Sequence, residues 1–153
     1  MVIGGLAGCF GALSGWTAAA NSLSLVPILV SLVDFLWTPG HLWGLAIKKV
    51  NEYRLAGIPM LPVTAGLRQA VKVIFAFNIA TVIASLTLPS LAVAGGVYSA
   101  VAVFAGAWFV LESRRLLKSQ SEARGFRIFL VSMPYLALLM AGLIADKLLV
   151  SLV

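Results

Sequence analysis

The sequence predicts an all-α membrane protein with five transmembrane helices, and three observations carry that prediction. Of 153 residues, 61% are hydrophobic and only 10% charged, and mean hydropathy is +1.06; a soluble domain carries roughly 25% charged residues. Residues 73 to 111 contain no Asp, Glu, Lys or Arg. As one helix rising ~1.5 Å per residue, that run would be nearly twice as long as the ~30 Å hydrocarbon core, so it must hold two spans. Ten of the eleven basic residues fall in two clusters separated by an even number of spans, as the positive-inside rule requires of two loops on one face.

The first span is expected near 2 to 20. It is apolar from its start and lacks a basic leading region, which argues against a cleaved signal peptide. "GGLAGCFGALSG" places Gly4, Gly8, Gly11 and Gly15 at steps of four, three and four. Those steps align them on one face, where another helix can approach closely. Cys9 is the single cysteine, which excludes an internal disulfide and a thiolate metal cluster. "AANSLSLVP", residues 19 to 27, ends this span, and the second runs near 25 to 47.

The second span carries Asp34 in mid-membrane, where an ionisable group must face the protein interior or water. Thr38, His41 and Lys48 follow at i+4, i+7 and i+14, so a regular helix aligns them in a polar stripe. Pro39 and Gly40 are expected to interrupt that helix and rotate the stripe out of phase. The stripe can be an interior hydrogen-bonded cluster or a polar path, and Trp37 and Trp43 can be packing or interface aromatics.

The connection that follows holds Lys48, Lys49, Asn51, Glu52, Tyr53 and Arg54, then "AGIPMLP" and Arg68 and Lys72. Its apolar part, residues 58 to 62, is expected to fold back on the bundle as a lid or re-entrant piece. Its cations either fix topology alone or, beside the Glu52 carboxylate, bind a phosphorylated ligand through an oxygen-loving divalent cation. The third and fourth spans are expected near 71 to 90 and 94 to 112, divided by "LPSLAVAGG" with Pro89, Gly95 and Gly96 as breakers. The second basic cluster follows, Arg114, Arg115, Lys118, Arg124 and Arg127, read as a topology signal. The fifth span, near 127 to 149, leaves only Lys147 on the opposite side. Loops 48 to 72 and 112 to 127 are therefore expected to be cytoplasmic in a multi-pass protein of the cell membrane. The net charge of +6 reads as orientation; no soluble basic surface exists for nucleic acid.

Several stretches together resemble the protoheme IX farnesyltransferase (heme O synthase) branch of the UbiA-type intramembrane prenyltransferases. They are "VIGGLAGCFGALSGW", then Trp37, Thr38, Pro39, His41 and Trp43, then Tyr53, Ala56, Gly57 and "IPMLP". Weaker echoes occur at Gly96, Tyr98, Gly106, Phe109, Ser132, Tyr135 and Leu136. The resemblance implies a nine-helix bundle of which residues 1 to 153 are the last five helices, a single transmembrane prenyltransferase region. It implies a membrane enzyme of heme biosynthesis that takes farnesyl diphosphate with Mg2+ at its cytoplasmic mouth. Ionisation gives an allylic cation that adds to a vinyl group of heme B, and water supplies the hydroxyl of the product. Cations and Mg2+ neutralise the leaving diphosphate, while an apolar aromatic chamber limits quenching by water.

By the same resemblance, Glu52 is the Mg2+ or diphosphate carboxylate and Tyr53 closes the mouth, the two catalytic positions. Lys48, Lys49 and Arg54 bind diphosphate, His41 meets the porphyrin as an iron ligand or ring contact, and Trp37 and Trp43 shape the apolar wall. Expected partners are farnesyl diphosphate, heme B and membrane lipid, together with a separate N-terminal half or heme-processing and terminal-oxidase proteins. Three departures stand out. Asn51 and Glu52 replace two adjacent aspartates, Gly40 replaces a second proline, and the family's first aspartate-rich loop would lie upstream of Met1. The chain alone is therefore expected to be inactive. Two other readings stay open: a non-catalytic heme- or lipid-binding membrane protein, or a related prenyltransferase with another acceptor. A small transporter using the Asp34 stripe is a further alternative.

Overall fold

The computed structural model describes residues 2 to 91 and 93 to 151. Seven helices follow in order: α1 Val2–Ala20, α2 Leu25–Lys48, α3 Val50–Leu55, α4 Leu61–Thr64, α5 Gly66–Ser90, α6 Gly96–Ser119 and α7 Glu122–Ser151. Among the described residues there is no strand, so the all-α expectation is met. Among the described residues four helices, α2, α5, α6 and α7, are long and apolar enough to cross a membrane; α1, the expected first of five spans, is not among them. The break between the third and fourth spans falls at residues 91 to 95, of which Ala92 lies outside the described residues.

α2, α5, α6 and α7 pack pairwise into a ring of four, and α1 lies against α2. Lipid offers apolar helices no hydrophobic drive to associate, so close packing and interior hydrogen bonds must hold such a ring. Both are present. Tyr98, Tyr135, Phe109, Ile47 and Ile74 are fully buried at its centre, and Phe109 stacks on Tyr135 with centroids 4.7 Å apart. Tyr98 donates to the Ser85 carbonyl (3.1 Å) and Tyr135 shares a 3.0 Å hydrogen bond with Ser85 Oγ. Asn78 Nδ2 donates to Ser113 Oγ at 2.8 Å. The interior polar groups thus link α5 to α6 and α7.

Several expectations change here. α2 runs through Pro39 and Gly40 without a break. A glycine at 40 is what the packing demands, because a Cβ there would lie 2.0 Å from Asn78 Oδ1. Within a bundle, neighbouring helices make up for the hydrogen bond that proline removes. On α1, positions 4, 8, 11 and 15 face open space among the described residues. The contact face is one residue on: Gly5 meets Thr38 and Phe35, and Cys9 is buried. α5, α6 and α7 all extend beyond the apolar runs that predicted them, because charged residues continue the helices past the membrane region.

Asp146 joins the end of α7 to the start of α6. From the last turns of α7 it accepts N–H groups of Gly95 (2.7 Å) and Tyr98 (3.0 Å) on Oδ2 and of Val97 (3.1 Å) on Oδ1. A helix start leaves four N–H groups without intrahelical partners, and a carboxylate from another helix here takes the place of a local cap.

Candidate functional site

α2 carries most of the predicted site on one rod. Trp37 and His41, one turn apart, stack with centroids 4.2 Å apart, and His41 also stacks on Phe129 of α7 at 4.4 Å. Trp37 Nε1 donates to the Ser132 carbonyl at 2.8 Å. His41 Nδ1 lies 2.7 Å from Ser132 Oγ, and that hydroxyl already donates its one proton to the Phe129 carbonyl at 2.8 Å. With the Ser132 proton on that carbonyl, His41 Nδ1 is assigned as the donor in the shared bond, and the neutral ring keeps its lone pair on Nε2. A histidine set this way is competent to ligate a metal or accept a proton through Nε2. Trp43 lies elsewhere, edge-on to Phe77 of α5 at 5.8 Å, so the predicted aromatic wall divides between two helices.

Asp34, Thr38 and His41 share a face because the helix is continuous, yet they do not form a linked network. Thr38 Oγ1 donates to the Asp34 main-chain carbonyl at 2.9 Å, and Thr38 meets α1 while His41 meets α7. Among the described residues no hydrogen bond between two side chains joins one member of the stripe to the next.

Beyond Lys48 the chain turns into α3, which holds the charged positions. Lys49 Nζ donates to Glu52 Oε2 at 2.9 Å, and this hydrogen bond, with the Glu52 charge, holds the Lys49 ammonium above the ordinary lysine range. Arg54 Nη1 donates to Asn51 Oδ1 at 3.2 Å. Lys48, Lys49, Asn51, Glu52 and Arg54 are all exposed, while Tyr53 is half-buried against the core. The spacing from Tyr53 through "AGIP" has a local cause. Ile58 N donates to Tyr53 O (2.9 Å) and Gly57 N to Arg54 O (3.2 Å), with Gly57 left-handed at φ 66°. This is a Schellman cap, which needs a residue free of Cβ strain at that position. Pro59 then prevents continuation, Met60 and Leu61 pack on the core and Pro62 is buried. Leu55 and Ile58 stay exposed, so only the far part of the expected lid lies on the bundle.

Whether these residues suit Mg2+ follows from the donor set. Glu52 is the only carboxylate between Lys48 and Lys72, and Asn51 beside it adds a neutral oxygen. Among the described residues no three of His, Cys, Asp and Glu come together. Magnesium is commonly held by one or two carboxylates with water and substrate phosphate completing its shell. The donors fit an ion shared with a diphosphate, not a cage built by this chain alone.

The end of α2 packs against the start of α7. A Cβ at Gly44 would lie 3.0 Å from the Gly125 carbonyl, and one at Gly125 would lie 2.6 Å from Ile47 Cγ2. This crossing places the two basic connections at one end of the bundle. At the opposite end an apolar cavity of about 350 Å³ is lined by Trp16, Pro27, Val30, Met140 and Ile144, among others. Sequence reasoning gave no role to Phe129 or Glu112, and it noted Ser132 only as a resemblance. Glu112 has one near partner, Arg115 three residues on, but Arg127 lies 15 positions from it and His41 lies 91 from Ser132, and no local pattern signals those distant pairs.

A protoheme IX farnesyltransferase of Rhodococcus jostii (strain RHA1) is 44% identical over 97% of this chain and 50% of that protein. One of Parafrankia sp. (strain EAN1pec) is 43% identical over 97% of this chain and 49% of its own. One of Trichormus variabilis (strain ATCC 29413 / PCC 7937) is 42% identical, with 97% and 47% covered. The chain spans about half the length of the curated relatives it matches. No solved structure matches it. Residues 1–142 match the UbiA prenyltransferase family, and the chain belongs to that family.

Proposed function

We propose that this chain forms part of a membrane prenyltransferase that transfers the farnesyl group of farnesyl diphosphate to a vinyl group of heme B. The observation that carries this reading is the layout of α2, which sets His41 against Trp37 and Phe129 and ends in a cationic rim with one carboxylate. Lys48 lies seven residues beyond His41, a rise of ~10 Å along the axis. The buried imidazole thus lies within reach of a ligand anchored at the rim, and that ligand meets it where the α2–α7 contact opens. The names of the relatives supply the identity of the acceptor and donor.

In this reading Lys48, Lys49 and Arg54 meet the diphosphate, and Glu52, with Asn51 beside it, faces the ion shared with it. Bound Mg2+ supplies charge neutralisation of the leaving diphosphate. The exposed Lys49–Glu52 pair is weakly held in solvent and opens when the substrate arrives, leaving the ammonium for phosphate oxygens. The allylic C–O bond breaks with its electron pair going to diphosphate. The vinyl π electrons form the new C–C bond, and the cation left on the vinyl carbon takes water and loses a proton. Tyr53, half-buried at the mouth, restricts water at the rim until that last step. His41 meets heme B through Nε2. The site faces the cytoplasm in the cell membrane, and the remaining carboxylates come from a segment equivalent to the other half of the relatives.

The test is product formation. Membranes carrying this chain with the other half of the Rhodococcus jostii relative are given farnesyl diphosphate, Mg2+ and heme B. The account expects heme bearing one hydroxyethylfarnesyl group by mass spectrometry, with Glu52→Gln making less product at the same Mg2+ but retaining heme, and His41→Ala losing both. Unchanged heme B under these conditions overturns the proposal. Product formation unaffected by Glu52→Gln removes that residue from it.

A further inference from the structure

The α6–α7 turn is built in a way that a topology signal does not need. Glu112, 1% exposed, lies beneath three arginines. Arg115 Nη1 donates to its Oε1 and Arg127 Nε to its Oε2 at 2.9 Å, while Arg124 Nη1 is 3.5 Å from Oε2. Orientation in a membrane requires only positive charge. Burying a carboxylate below the arginines cancels one of those charges and fixes three guanidiniums around one point. Three cations against one anion leave the cluster at +2. Their side chains remain 56%, 39% and 53% exposed for Arg115, Arg124 and Arg127. Among the described residues, no protein acceptor other than Glu112 meets these guanidiniums. Each presents five N–H donors in a planar fork that matches phosphate oxygens.

The surface next to this cluster is apolar and outward-facing. Arg124 and Arg127 line a depression of about 380 Å³ with Ala123, Phe126 and Leu130, and the exposed face of α7 continues from it, bordered by Met133 and Leu138 with Leu130, Pro134 and Ala137 between them. A headgroup-sized anion site thus runs directly into a strip suited to an acyl chain.

We propose that the α6–α7 turn binds an anionic phospholipid, its phosphate held by Arg115, Arg124 and Arg127 and one acyl chain lying along Leu130, Met133 and Leu138. A zwitterionic headgroup offers the same phosphate but carries an ammonium toward a cluster that is already +2. Basic pockets at the cytoplasmic ends of membrane helices are a general means of holding acidic lipids. Here Glu112 acts as a positioning residue that keeps the forks in place before the lipid arrives.

The purified chain in neutral detergent is titrated with phosphatidylglycerol, with phosphatidylcholine of the same acyl chains, and with inorganic phosphate, and bound lipid is counted by native mass spectrometry. Phosphatidylglycerol is expected to be retained about tenfold more than phosphatidylcholine, a preference lost in Arg124→Gln/Arg127→Gln. It is expected to survive in Arg68→Gln/Lys72→Gln, which removes equal charge from the other connection at this end. Glu112→Gln separates positioning from bulk charge: it raises net charge, yet is expected to weaken retention. Where that variant does not fold, Arg124→Lys/Arg127→Lys decides, since it keeps charge without the fork and is expected to lose most of the preference. Equal retention of the two lipids, equal loss in the Arg68/Lys72 control, tighter binding by Glu112→Gln, undiminished preference in the lysine pair, or inorganic phosphate displacing the lipid at matching concentration would each overturn the proposal.

Discussion

Ser132→Ala tests the hydrogen bond that, under the proposed function, sets His41 to meet heme B. The Ser132 hydroxyl donates to the Phe129 carbonyl and so must accept His41 Nδ1–H across 2.7 Å; alanine removes that acceptor. The Trp37 bond survives because it goes to the Ser132 main-chain carbonyl, and the stacked indole stays in place. A neutral hydrogen bond has a net value of about 0.5 to 1.5 kcal/mol, a loss of roughly 2- to 13-fold in affinity. Hydrogen-bond partners of metal-ligating histidines are worth about 10- to 100-fold in metal affinity. The two ranges overlap near tenfold, which is the expected weakening of heme binding. The assay is titration of the purified protein with heme, followed by its Soret absorption, with His41→Ala as the loss control and Ser132→Thr as the rescue. Wild-type affinity in Ser132→Ala, with His41→Ala still deficient, refutes the role given to this hydrogen bond. An unchanged Soret band in His41→Ala refutes ligation itself.

Other predictions concern the frame that holds the site. Asp146→Ala removes an N-terminal cap, about 0.5 to 2 kcal/mol, and strands the buried Tyr98 N–H, about 1 to 3 kcal/mol. Water reaches the exposed Gly95 and Val97 groups, so unfolding in mixed micelles should show a loss of about 2 to 4 kcal/mol, with Asp146→Asn intermediate; a change below about 0.5 kcal/mol contradicts the capping role. Gly57→Ala forces a Cβ into the left-handed region and should cost about 1 to 2 kcal/mol, while lowering prenyl transfer by displacing α3; equal activity and stability would show that the Schellman turn does not position Glu52. Glu52→Gln removes an exposed pair and should leave the unfolding midpoint unchanged while raising the Mg2+ needed for half-maximal turnover. A shifted midpoint with unaltered Mg2+ dependence would make the pair structural.

The helices themselves were legible in the sequence because apolar run length and breakers at residues 19 to 27 and 88 to 96 act locally. The charged cluster was legible for the same reason: Lys48, Lys49, Glu52 and Arg54 are close in sequence and stay close where α2 ends and α3 begins. What sequence alone misjudged depends on a second element. Pro39 and Gly40 read as a break, yet Gly40 is small because Asn78 of α5 presses on it. The glycine spacing on α1 marked a face that could pack, while the face that meets α2 starts one residue later at Gly5. Glu112 and Asp146 received no role from the sequence; the first gathers arginines up to 15 positions away and the second caps a helix about 50 positions earlier. In a low-dielectric interior such groups exist only with partners, but the chain does not show which ones.

The central claim is that the diphosphate of the prenyl donor sits at the cytoplasmic end of α2 with its tail running toward His41. A photoreactive farnesyl diphosphate analogue, irradiated with the protein and mapped by peptide mass spectrometry, tests it most directly. The account predicts Mg2+-dependent labelling within residues 37 to 62, competed away by unlabelled farnesyl diphosphate. Labelling confined to the apolar cavity at the opposite end, around Trp16, Pro27 and Ile144, or labelling indifferent to Mg2+, would contradict it.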